Sequence, residues 1–85
     1  MNAKAWITVE DHTLIPGFNS IAQEVIDNLQ NSDVSVKENN YSYFVLELVY
    51  ENYDEVKEVC SLTTYLLLNA YITEFTMTTN TSNIN

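Results

Sequence analysis

Two amphipathic helical stretches, four segments of alternating apolar residues, and the order in which they follow one another predict an α+β fold. The order is strand, helix, strand, strand, helix, strand, which is the two-layer ferredoxin-like βαββαβ sandwich. Each βαβ half needs a right-handed crossover. Both helices therefore lie on one face of a four-stranded antiparallel sheet, and the first and third strands are central. The 85 residues suit one domain over 1–78 followed by a polar tail over 79–85. A hydrophobic content of 46% is a globular value and excludes a disordered acidic tail.

The elements follow from local pattern. Ala5–Glu10 alternates as a strand, with Ile7 and Val9 on one side and Trp6 and Thr8 on the other. Ser20 with Gln23 reads as a capping box opening the first helix, whose stripe is Ile21, Ala22, Val25, Ile26 and Leu29. Asn31-Ser32-Asp33 stops that helix. A short strand over Asp33–Glu38 carries Val34 and Val36, and Asn39-Asn40 makes a tight turn. Tyr41–Tyr50 is the strongest strand signal, with Phe44, Leu46 and Leu48 facing the core and Tyr43, Val45, Glu47 and Val49 facing away. Asn52 or Asp54 caps the second helix, whose stripe runs through Val56, Val59, Cys60, Thr63, Leu66 and Leu67. Residues 70–77 alternate as a last strand, with Ile72 and Glu74 on the outer face. The rival reading extends the second helix to about residue 75.

Two surfaces emerge as candidates for binding. With both helices on one side, the other side of the sheet stays open and carries Trp6, Tyr43, Val45, Val49 and Ile72. An aromatic and β-branched patch of this kind marks a contact with a second copy or with a partner protein. The other surface is acidic. Glu47, Glu51, Asp54, Glu55 and Glu58 fall within twelve residues, and Glu10 and Asp11 close the first strand. Twelve acids against three lysines, with no arginine, leave a net charge of −9. That charge repels nucleic acid and anionic membrane and attracts basic proteins. Spaced carboxylates can imitate the phosphates of a duplex and so occupy the basic face of a nucleic-acid-binding protein.

Catalytic chemistry is excluded on the residues available. His12 is the sole histidine, and it stands beside Asp11 without a nucleophile to complete a triad. No metal site and no cofactor is expected, and one glycine cannot build a phosphate loop. Cys60 has no cysteine to pair with and reads as a core filler. The chain shows neither a targeting signal nor an apolar run of membrane length, so a cytoplasmic location is expected.

The segment Val9-Glu10-Asp11-His12-Thr13-Leu14-Ile15-Pro16-Gly17-Phe18-Asn19-Ser20-Ile21-Ala22, running into Val34-Ser35-Val36, resembles the opening of an ACT-type regulatory domain. The resemblance covers about the first forty residues and implies a ferredoxin-like fold and amino-acid binding at dimer interfaces. Departures are the longer loop between Asp11 and Pro16 and the lack of a small-residue ligand pocket. The leading expectation is a small acidic inhibitor or modulator of a basic, nucleic-acid-handling protein, a DNA mimic in kind. Products of this type are common in bacteriophages, which would place the protein in the host cytoplasm. The alternative is a small dimeric ferredoxin-like regulatory or ligand-binding domain.

Overall fold

The computed structural model describes residues 2–29 and 33–83. Its elements are β1 (Ala3–Asp11), α1 (Phe18–Leu29), β2 (Val34–Asn39), β3 (Tyr43–Tyr50), α2 (Tyr53–Asn69) and β4 (Phe75–Asn83). The sheet order is β2-β3-β1-β4 and every neighbouring pair is antiparallel. This is the ferredoxin-like two-layer sandwich, with β1 and β3 central as the strand order requires.

Period-two alternation sorts each strand between the two faces. Ala3, Ala5, Ile7 and Val9 of β1 and Phe44, Leu46 and Leu48 of β3 point to the helices and are buried. They meet Phe18, Ala22, Val25, Ile26 and Leu29 of α1 and Val56, Thr63 and Leu67 of α2. Phe18 stacks on Phe44 with ring centroids 6.2 Å apart and planes inclined by 20°.

Three local expectations are corrected. First, α1 starts at Phe18, ahead of Ser20, because Phe18 is fully buried and its backbone must already be in helical register to reach the core. Gly17, at φ 80°, takes the capping position, and its carbonyl accepts from the N–H groups of Ser20 and Ile21. Ser20 lies inside the first turn and caps nothing. The proposed stop at Asn31-Ser32 falls outside the described residues.

Second, the hairpin turn is wider than Asn39-Asn40. β2 runs to Asn39, β3 begins at Tyr43, and the Asn40 N–H donates to the Tyr43 carbonyl at 2.8 Å. A bulge between Val36 and Glu38 shifts the register of β2.

Third, the chain after α2 is neither a continued helix nor a strand from residue 70. Asn52 caps the start of α2 in a full capping box with Glu55. At the far end Tyr71 sits at φ 63°, the Tyr71 N–H donates to Leu68 O at 3.0 Å, and the Ile72 N–H donates to Leu67 O at 2.9 Å. This is a Schellman closure with tyrosine in the position that glycine usually fills. Closure turns Ile72 inward against Leu67, so Ile72 is fully buried and not on the open face. Glu74 is exposed in the connection before β4, not on the face of the sheet. The last strand then starts at Phe75 and pairs with β1 as far as Asn83, opposite Ala3. Residues 79–83, expected as a polar tail, are thus the second half of β4. Alternation between polar residues leaves no hydropathy signal, and their pairing comes from the exposed edge of β1.

Candidate functional site

The open face is built by four strands. From β1 come Lys4, Trp6, Thr8 and Glu10, and from β3 come Tyr43, Val45, Glu47 and Val49, opposite one another in register. Ser35 and Glu38 of β2 flank β3. Thr76, Thr78, Asn80 and Ser82 of β4 flank β1. Of the five residues expected on this face, Trp6, Tyr43, Val45 and Val49 are there, each half-buried among its neighbours, and Ile72 is absent.

Glu47 organises the middle of the face. The Trp6 indole N–H donates to its Oε2 at 3.0 Å, and Lys4 Nζ and Lys37 Nζ each stand 3.7 Å from its Oε1. Two of the three lysines therefore converge on one carboxylate whose side chain is 15% exposed. Sequence spacing could not reveal this, because Lys4, Lys37 and Glu47 come from three different strands. At the other end of the face Tyr43 Oη donates to Glu38 Oε1 at 3.4 Å. Burial, then the neighbouring Glu38 charge, holds the Tyr43 phenol above its ordinary value.

The expected acidic surface does not come together as one patch. Glu47 is enclosed by cations on the sheet. Glu10 and Asp11 end β1, whereas Glu51 follows the residue paired with Ala3. At about 3.3 Å per residue the two ends lie roughly 26 Å apart. Asp11 is 3% exposed and works as a loop clasp. Its Oδ1 accepts from the Thr13 N–H at 3.1 Å and the Thr13 hydroxyl at 2.8 Å, and its Oδ2 accepts from the Ile15 N–H at 2.8 Å. Burial pushes its pKa up, but these donors, with His12 beside it, bring it below the usual carboxylate value. The loop that carries the ACT resemblance is thus tied by its own carboxylate.

Glu55 is likewise committed. The N–H groups of Asn52 and Glu51 each donate to it at 2.9 Å and hold its carboxyl below its ordinary range. Asp54 faces Lys57 at 3.6 Å. What remains at the start of α2 is Glu51, Asp54 and Glu58, all exposed. Beside them lies a shallow hollow of about 280 Å³ lined by Asn2, Asp33, Val49, Tyr50, Glu51 and Glu55.

His12 is tied to the start of β4, with its ring Nε2 3.0 Å from Thr76 Oγ1 and its backbone N–H donating to Glu74 O at 2.7 Å. Cys60 Sγ lies 3.6 Å from Thr79 Oγ1, packed between α2 and β4. Among the described residues no group of three or more His, Cys, Asp or Glu side chains could hold a metal ion, and no helix is long and apolar enough to cross a membrane. A surface that the sequence did not suggest is the outer side of α2, where Leu62, Tyr65 and Leu68 are 43%, 61% and 49% exposed.

No protein-family model matches the chain, and no curated protein matches it. Among solved structures, the de novo designed protein Foldit4 superposes with a TM-score of 0.57 at 9% identity, covering 100% of both chains. A protein from Thermus thermophilus, described as PII-like and signaling, aligns over 99% of this chain and 87% of its own, at 16% identity and a TM-score of 0.39. What the chain shares with the designed protein, at that identity, is its fold.

Proposed function

We propose that this is a non-catalytic, regulatory binding domain that acts through the open face of its sheet, and that what it binds is protein. One observation carries the reading. Trp6, Val45, Val49 and Tyr43 stand together on a rigid, two-strand centre, around a carboxylate whose charge is answered by Lys4 and Lys37. An apolar patch with a satisfied polar centre is the usual anatomy of a protein contact. Rigid backbone on both central strands keeps the ordering cost of association low.

The acidic-inhibitor reading retains one support of its own. The net charge of −9 is real, and Glu51, Asp54 and Glu58 are exposed together at the start of α2. On that reading a basic protein surface, such as one that holds nucleic acid, is the partner. DNA mimicry and a phage origin belong to it.

Capture from a lysate of the source organism separates the two. The bait is wild type, Val45→Asp, or a triple charge reversal (Glu51→Lys, Asp54→Lys, Glu58→Lys), each washed at low and at high salt. The sheet-face reading expects a stoichiometric protein, the chain's own untagged copy included, that survives high salt and is lost with Val45→Asp. Apolar contacts are not screened by ions, whereas exposed charge pairs are. A protein lost at high salt and with the triple reversal, but kept by Val45→Asp, overturns the sheet-face reading in favour of the acidic one.

A further inference from the structure

On the open face the central strand β1 carries opposite charges toward its two ends. Lys4 stands opposite Val49 where β1 begins, and Glu10 stands opposite Tyr43 where it finishes. A strand with one sign at each end is complementary to itself turned end for end.

The register makes this complementarity specific. Ile7 and Leu46 are paired at the middle of the two central strands. Lys4 and Glu10 lie three residues to either side of Ile7, and Val49 and Tyr43 lie three residues to either side of Leu46. All four side chains are on the open face. A two-fold axis lying between two such sheets, across the strands at Ile7 and Leu46, sets Lys4 of one copy over Glu10 of the other. The same axis sets Val49 over Tyr43 and Trp6 over Thr8. Each contact occurs twice, as an isologous interface requires.

The footprint is adequate. Strands of nine, six, eight and nine residues, at about 3.3 Å per residue and about 4.8 Å spacing, cover roughly 500 Å² per copy. Two copies thus remove about 1,000 Å² from solvent, which matches the roughly 1,000 Å² that a specific interface needs.

Resting on the sheet-face reading, we infer that the occupant of this face is a second copy of the chain, packed antiparallel and sheet on sheet, with Lys4 and Glu10 meeting across the two-fold axis. An interface of this size stands at the weak end of specific contacts, and its charge pairs tune it.

The test is a charge swap read by light scattering and analytical ultracentrifugation. Wild type is expected to be a dimer at about 100 μM, a concentration that populates even a weak specific dimer. Lys4→Glu sets like charges face to face at both symmetric contacts, and so does Glu10→Lys. Each single variant is expected to weaken the dimer by about tenfold or more. Mixing the two singles restores opposite charges at both contacts, so the mixture forms a heterodimer, and the double variant Lys4→Glu/Glu10→Lys regains the homodimer. Lys4→Glu also loses its pairing with Glu47, but the mixture carries the same defect, and thermal melts of each variant confirm folding.

A monomeric wild type overturns the inference. So does a dimer that both single variants keep and whose mixture gains nothing. If wild type is monomeric but Val45→Asp still loses a captured protein, the second copy is wrong and the sheet-face reading stands. If wild type is monomeric and Val45→Asp loses nothing, both fall.

Discussion

Ile72→Ala tests the closure of α2, on which the composition of the open face depends. Ile72 is fully buried in the main core cluster beside Leu67, the residue whose carbonyl holds its N–H. Truncating a buried isoleucine to alanine costs about 2–5 kcal/mol, from lost transfer energy and the cavity left behind. We take about 3 kcal/mol. A domain of this length has roughly 4–13 kcal/mol of stability in total, at about 0.05–0.15 kcal/mol per residue. With a urea dependence of about 1 kcal/mol per molar, the midpoint should fall by roughly 3 M. The thermal midpoint should fall by about 12–24 °C. Urea unfolding followed by circular dichroism is the assay, at one fixed protein concentration so that association does not enter the comparison. The exposed neighbour Thr73 is the control, and Thr73→Ala should change stability by no more than about 0.5 kcal/mol. Had Ile72 faced outward beside Trp6, as alternation from residue 70 predicts, its truncation would cost little more than that control. A loss below about 1 kcal/mol with an unchanged urea dependence would refute the Schellman closure as the reason Ile72 is buried.

Two further outcomes follow from named backbone and side-chain geometry. Tyr71→Gly should raise stability by about 1 kcal/mol in the same urea assay, because Tyr71 holds φ 63° and is 87% exposed, so glycine relieves the left-handed conformation without removing packing; unchanged or lowered stability would count against that strain. Asp11→Asn should cost about 1–2 kcal/mol near neutral pH by weakening the clasp on Thr13 and Ile15. Because the folded Asp11 carboxyl titrates below its unfolded value near 3.9, its contribution is complete above about pH 4 and is lost as pH falls through the folded value. The gap between wild type and Asp11→Asn should therefore close in acid, and a gap that persists at low pH would show that charge is not what holds the loop.

The strand–helix order and the central strands were legible in the sequence because they rest on contrast between apolar and polar residues. The alternation at Ile7, Val9, Phe44, Leu46 and Leu48 and the stripe at Ala22, Val25, Ile26 and Leu29 state which side faces the core. Legibility failed where that contrast vanished. The second half of β4 reads Thr79-Asn80-Thr81-Ser82-Asn83, which alternates only between polar residues, yet β1 offers it an unpaired edge along its whole length. Ser20 looked like a cap by type, but the need to bury Phe18 moved the helix start ahead of it.

The candidate site divides the same way. Trp6, Tyr43, Val45 and Val49 could be placed on one open face from period two and the side on which the helices lie, and charge counting alone established that the chain is strongly acidic. Where those charges act depends on contacts between residues distant in sequence. Folding brings Lys4 and Lys37 to Glu47, buries Asp11 in a turn, spends Glu55 on a helix cap and sends Glu10 to the far end of the sheet from Glu51. Composition and periodicity are sums over neighbours along the chain, so they fix what the molecule contains and which way each strand faces. Registers, bulges and helix closures set which side chains meet, and only the tertiary structure decides those.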